Sequence, residues 1–151
     1  MTGPPYRILT AVHPDTVERI SRILKGHDLR VVQTIEAARA ALDADGIELI
    51  FVGARFDESR MFDFLAYLRE HVHHRKIPIA AAIVVPTTMS TNTLTGLSHT
   101  AKIYGASLFV NLNDFSDDDV ENRRVRLIIE ALVAPAEAIA KAAEVLAAAK
   151  R

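Results

Sequence analysis

The order of apolar and polar positions divides the chain into short, continuously apolar runs, most followed by a stretch in which apolar residues recur every three or four positions. The runs cover residues 6–12, 29–32, 47–53, 77–85 and 106–112. Runs of this length, bounded by turn residues, read as strands covered on both faces. The third is short, rich in β-formers, opens after Asp45-Gly46 and ends on Gly53 before the polar Arg55 and Asp57, so it is expected at the centre of a sheet. Between the strands, Val17, Ile20, Ile23 and Leu24 fall on one helical face, as do Ile35, Ala38, Ala41 and Leu42, then Met61, Phe62, Leu65 and Leu68, and finally Val125, Ile128, Ile129 and Leu132. A modest fourth helix ends near Ile103-Tyr104-Gly105.

Punctuation agrees with the periodicity. Pro14-Asp15 opens the first helix and Gly26 closes it; Thr34 is placed to cap the second, and Ser116 to cap the fifth, where Asp117, Asp118 and Asp119 suit the positive end of the helix dipole. Residues 86–95 form a Thr/Ser-rich loop. Five βα units in succession predict a parallel sheet with helices on both faces, an α/β fold.

At 151 residues, half of them apolar, the chain is the size of one domain with a substantial core. A net charge of −1 provides no general attraction to nucleic acid or to anionic membrane, and neither partner is expected. With no cysteine, disulfides, thiolate catalysis and sulfur-built zinc sites are excluded. No apolar run reaches membrane-spanning length and the first residues lack the blocks of a signal peptide, so the expected location is the cytoplasm. The absence of a Gly-x-Gly-x-x-Gly or Walker-type loop after the first strand removes support for a nucleotide-binding version of the fold.

Val17, Ile20 and Leu24 in the first helix, Phe62, Leu65 and Leu68 in the third, Ile77-Pro78-Ile79 before the fourth strand and Gly105-Ala106 before the fifth carry a resemblance to the response-regulator receiver domain. It covers residues 6–133. The resemblance implies a flavodoxin-like, doubly wound sheet of strand order 2-1-3-4-5. It also implies where the family's phosphorylation chemistry would lie: an acidic pair holding Mg²⁺ after the first strand, an acceptor aspartate after the third, a hydroxyl residue after the fourth and a lysine after the fifth. Phosphoryl transfer rests on positioning and charge neutralisation and needs all of these parts. The matching positions here are Val12 and His13, Gly53, Ile83 and Leu112. Asn113 stands where the family has a proline, while Phe109 matches its aromatic switch residue. The chain thus resembles a degenerate, or pseudo-, receiver without the phosphoacceptor aspartate.

Asp15 and Asp57 lie close to the vacated positions, and an acid just before an apolar helical stretch reads as a cap, here of the first and third helices. His13 reads as a loop residue. His71 and His74 share a helical face but have only Glu70 beside them, so they read as a solvated helix end rather than a metal site. The hydroxyl-rich loop lacks a base in nucleophile spacing. No catalytic residue, metal or cofactor is expected.

Beyond Ala134-Pro135, residues 136–151 are an Ala-rich helix former outside the receiver pattern, a tail, linker or dimerisation element. Two function classes follow. One is a phosphorylation-independent regulatory module that docks a signalling protein or a second copy through a face formed by Lys102, Tyr104, Asn122, Arg123 and Arg126. The other is a small-molecule or anion-binding domain using the crevice at the strand ends, lined by His13, Arg55, Asp57, Thr87 and Asn111; Arg55 and His13 suit an anion.

Overall fold

The computed structural model describes residues 5–44, 46–71, 76–84 and 88–133, together with 144, 146 and 147. Five parallel strands, β1 (Arg7–Ala11), β2 (Asp28–Val32), β3 (Leu49–Gly53), β4 (Ile79–Ile83) and β5 (Leu108–Asn111), form one sheet in the order β2-β1-β3-β4-β5. This is the flavodoxin-like order. Strand ends fall within two residues of the predicted bounds, β2 starting one residue earlier at Asp28, and Leu112, expected in β5, instead opens a short 3-10 turn to Asp114.

Every residue of β3 is buried, as its unbroken apolar run requires. In β4 the core is Ala80-Ala81-Ala82, residues of low β-propensity, so the strand is held by its ladders to β3 and β5 and by coverage on both faces. Side chains alternate between two apolar layers. On one, Ile8, Val12, Leu49, Phe51, Ala80 and Ala82 meet α1 (Val17–Ile23) and α5 (Asp119–Glu130) through Ile20, Ile23, Val125 and Ile129. On the other, Leu9, Ile50, Val52 and Ala81 meet α2 (Ile35–Ala44), α3 (Met61–Glu70) and α4 (Thr91–Ile103).

Two helical details differ from expectation. Phe64, not Phe62, is the fully buried aromatic of α3, with its ring edge-on to Phe56; Phe62 is half-buried and tilts against Tyr104. The N-cap of α5 is Asp118, whose carboxylate accepts from the Glu121 N–H, and not Ser116. Thr34 caps α2 as expected, accepting from the Ala37 N–H. Of the expected tail helix only Glu144, Leu146 and Ala147 are described, each helical.

Candidate functional site

At the C-terminal end of β3, a Cβ added to Gly53 would stand 3.5 Å from Val84 Cγ2 and 3.6 Å from Val12 Cγ1, ordinary van der Waals contact. Val12, Ile83 and Leu112 are buried, at 0%, 2% and 0% exposure. Apolar side chains therefore occupy the place where the resemblance would put a carboxylate, a metal and a lysine. Strand alternation turns Ile83 to the face opposite Ala82, so Val84 is the β4-end residue that faces Gly53. The resemblance places Ile83 at this end of β4, but the side chain that faces Gly53 is that of Val84.

Polar residues around this apolar centre are engaged in local structure. His13 Nδ1 accepts from the Asp15 N–H at 3.1 Å, so His13, rather than Asp15, caps the 3-10 turn Pro14–Thr16 that leads into α1. Asn111 Oδ1 accepts from both the backbone and side-chain N–H groups of Asn113, closing the turn after β5.

The Arg19 guanidinium crosses from α1 to donate to the carbonyls of Leu112 at 2.8 Å and Phe115 at 2.9 Å. It also reaches the Val84 carbonyl at 3.5 Å. One cation thus ties α1 to the end of β4 and to the turn after β5. The sequence signal for it was present but easy to pass over: Arg19 sits between Thr16 and Ile23 on the buried stripe of α1, where a charge requires partners.

Asp57 also differs from expectation. Its Oδ2 accepts from the Ile35 N–H at 2.9 Å, so it serves the start of α2 and not that of α3, and Arg60 approaches it at 3.5 Å. The carboxylate reaches there because Asp57, Glu58 and Ser59 have φ of 45°, 57° and 66°, three successive left-handed residues without a glycine. Such conformations cost L-residues roughly 1–2 kcal/mol each, so the turn is strained. Arg55 is exposed beside it. Thr87 lies outside the described residues. His13, Asp57 and Asn111 thus spend polar atoms on capping rather than turning them together toward a ligand.

The five residues expected to form one interaction face divide between two surfaces. Lys102 lines an open cleft of about 580 Å³ with Phe109, Asn111 and Asp114, and Tyr104 is half-buried against Phe62. Arg123 and Arg126 instead line a cleft between α1 and α5. Asn122 is a correction: it is 4% exposed, and its amide donates to Asp117 Oδ1 at 3.0 Å. It falls on the stripe shared with Val125 and Ile129, facing the core side of α5. Asp117 also pairs with Arg22 through two hydrogen bonds of 3.2 and 2.6 Å. The Arg22 bond first, and the Asn122 bond second, hold the Asp117 carboxyl down at about 2.

A divalent cation bound as in phosphorylated receivers needs several oxygen donors together. The residues present do not fit one: Val12, His13 and Gly53 stand where the resemblance would put the acids, and among the described residues no group of three His, Cys, Asp or Glu side chains converges. The ring of His71 bonds the Tyr67 carbonyl through Nδ1 and rests on the Tyr67 ring, while His74 lies outside the described residues. No described helix is long and apolar enough to cross a membrane.

No protein-family profile matches the chain, and no curated protein sequence matches it. Solved structures do. The chain is similar to NtrX from Brucella abortus (TM-score 0.64, 21% identity), covering 90% of this chain but only 28% of NtrX. It is similar to HP1043, an orphan response regulator of H. pylori (TM-score 0.62, 17% identity), covering 85% of this chain and 97% of that one. A response regulator from Hahella chejuensis aligns with TM-score 0.64 at 17% identity, over 85% of this chain and 95% of its own. The fold is that of a response-regulator receiver domain.

Proposed function

We propose that this protein is a non-enzymatic, phosphorylation-independent receiver-like regulator that acts by binding another protein through α4 and β5. The observation that carries the first half is the apolar acceptor position, where a side chain on Gly53 would meet Val12 and Val84 at van der Waals distance. A phosphoryl group there would meet neither a nucleophile nor a neutralising charge. Support for the second half comes from α4. Ala101 is the only buried residue in this thirteen-residue helix, and Ile103 at its end is 60% exposed. A helix is ordinarily held by burying an apolar face, so one that buries so little has a surface suited to a partner. The response-regulator fold of the neighbours agrees with a signalling role.

Incubation with acetyl phosphate and Mg²⁺ tests the first half. Intact-protein mass spectrometry is expected to show no adduct of about 80 Da, the mass of one phosphoryl group; a stable adduct on Asp15 or Asp57 would overturn it. For the second half, affinity capture compares wild-type, Ile103→Asp and Arg123→Glu baits. A specific partner lost only with Ile103→Asp supports docking on α4. Partners retained by that variant, or lost with Arg123→Glu instead, move the interface elsewhere.

A further inference from the structure

On the opposite face from α4, the cleft between α1 and α5, about 600 Å³, is lined by Ser21, Arg22, Lys25, Asp119, Arg123 and Arg126. Four cations face one carboxylate. Even with Arg22 neutralised by Asp117, the balance stays positive.

Two of the guanidiniums are held in place by the protein. Arg126 donates from Nε to the Ile23 carbonyl at 2.7 Å and from Nη2 to that of Arg22 at 3.2 Å. Arg22 uses Nε and Nη2 on Asp117. In each, Nη1 has no acceptor among the described residues. Lys25 and Arg123 are exposed and likewise have no partner among them. Fixing two arginines in advance removes much of the ordering cost of gripping an anion, and the two exposed cations can reach it.

The lining also restricts the occupant. It contains no apolar side chain, so an amphipathic helix would find no anchors for its i, i+3 and i+4 positions. It contains no aromatic ring on which a base would stack. What remains is a compact, multiply charged anion recognised by guanidinium, ammonium and hydroxyl donors. We propose that the α1–α5 cleft binds a small soluble polyanion of the polyphosphate class. This site is separate from the α4 surface, and neither reading depends on the other.

Isothermal titration of the full chain with inorganic triphosphate at low ionic strength tests it. Binding is expected, with orthophosphate and citrate weaker and ATP no tighter than triphosphate. Lys25→Glu with Arg123→Glu, both at exposed positions, is expected to weaken triphosphate binding at least about tenfold, a change of about 1.4 kcal/mol. Lys76→Glu, an exposed charge change elsewhere, should leave it within about twofold. Absence of binding, equal weakening by Lys76→Glu, or affinity only for phosphatidylglycerol vesicles and not for free triphosphate would overturn the proposal. Unchanged unfolding midpoints in the variants separate loss of the site from loss of the fold.

Discussion

His27 Nε2 lies 2.5 Å from Glu130 Oε2, joining the turn after α1 to the last residue of α5. The tautomer follows from the other ring nitrogen. Nδ1 accepts the Tyr6 N–H at 2.9 Å and therefore carries no proton, so Nε2 holds it and donates to the carboxylate. The imidazole is 3% exposed and stacks against the Tyr6 ring. Glu130→Leu leaves a buried N–H without its acceptor, and the expected loss is about 1–3 kcal/mol in urea unfolding. Glu130→Gln retains an acceptor and should lose less. Nitrogen-15 shifts of His27 that place the proton on Nδ1 would contradict the assignment.

Gly53 separates space from charge. Gly53→Ala adds a Cβ at ordinary contact distance from Val84 and Val12, so stability is expected to stay within about 1 kcal/mol of wild type. Gly53→Asp places a carboxylate against the same two valines. A loss of about 3 kcal/mol or more is expected, with no gain of phosphorylation, as read by chemical unfolding and mass spectrometry.

Asp57→Ala removes the acceptor from the first N–H of α2 while leaving the strained turn in place. The cost should be about 0.5–2 kcal/mol, the range for losing a cap. Glu58→Gly should act in the opposite direction by up to about 1 kcal/mol, because glycine adopts a φ of 57° without the steric penalty.

The Asp117 carboxyl is held at about 2 against an ordinary value of 3.8, so its contribution to stability is present above the ordinary value and is lost as pH falls towards 2. Its side chain is 34% exposed, and solvent screening limits the effect to about 1 kcal/mol. Thermal unfolding of Asp117→Asn should therefore show a deficit near neutral pH that closes between about pH 4 and pH 2. A deficit that persists unchanged at pH 2 would contradict the pairing.

Element type was legible because continuous apolar runs and period-3.6 stripes report which faces are buried, whereas the sheet order rested on the family resemblance, since periodicity does not say which strands are neighbours. Long-range polar contacts were not legible. Periodicity placed Met61, Leu65 and Leu68 inside but chose Phe62 over Phe64, since both aromatics flank the same stripe and tertiary packing decides between them. Asp57 was legible as a cap, but the helix it caps depends on a left-handed turn that Asp57-Glu58-Ser59 does not announce. Asn122 read as surface because its partner, Asp117, lies before the helix and bends back to it. Val84 and Arg19 show the same limit at the strand ends, where facing and reach decide what a residue meets.

The Arg19 bridge limits how the strand ends can be recharged. Building an acidic centre here would require Gly53, Val12, His13, the facing β4 residue and Leu112 to change, while the Leu112 and Phe115 carbonyls remain tethered to a cation on α1. Each single step in that direction buries a charge before its counter-charge exists. The present arrangement therefore resists piecemeal charging of the strand ends: no single substitution installs an acidic centre without burying an unpaired charge.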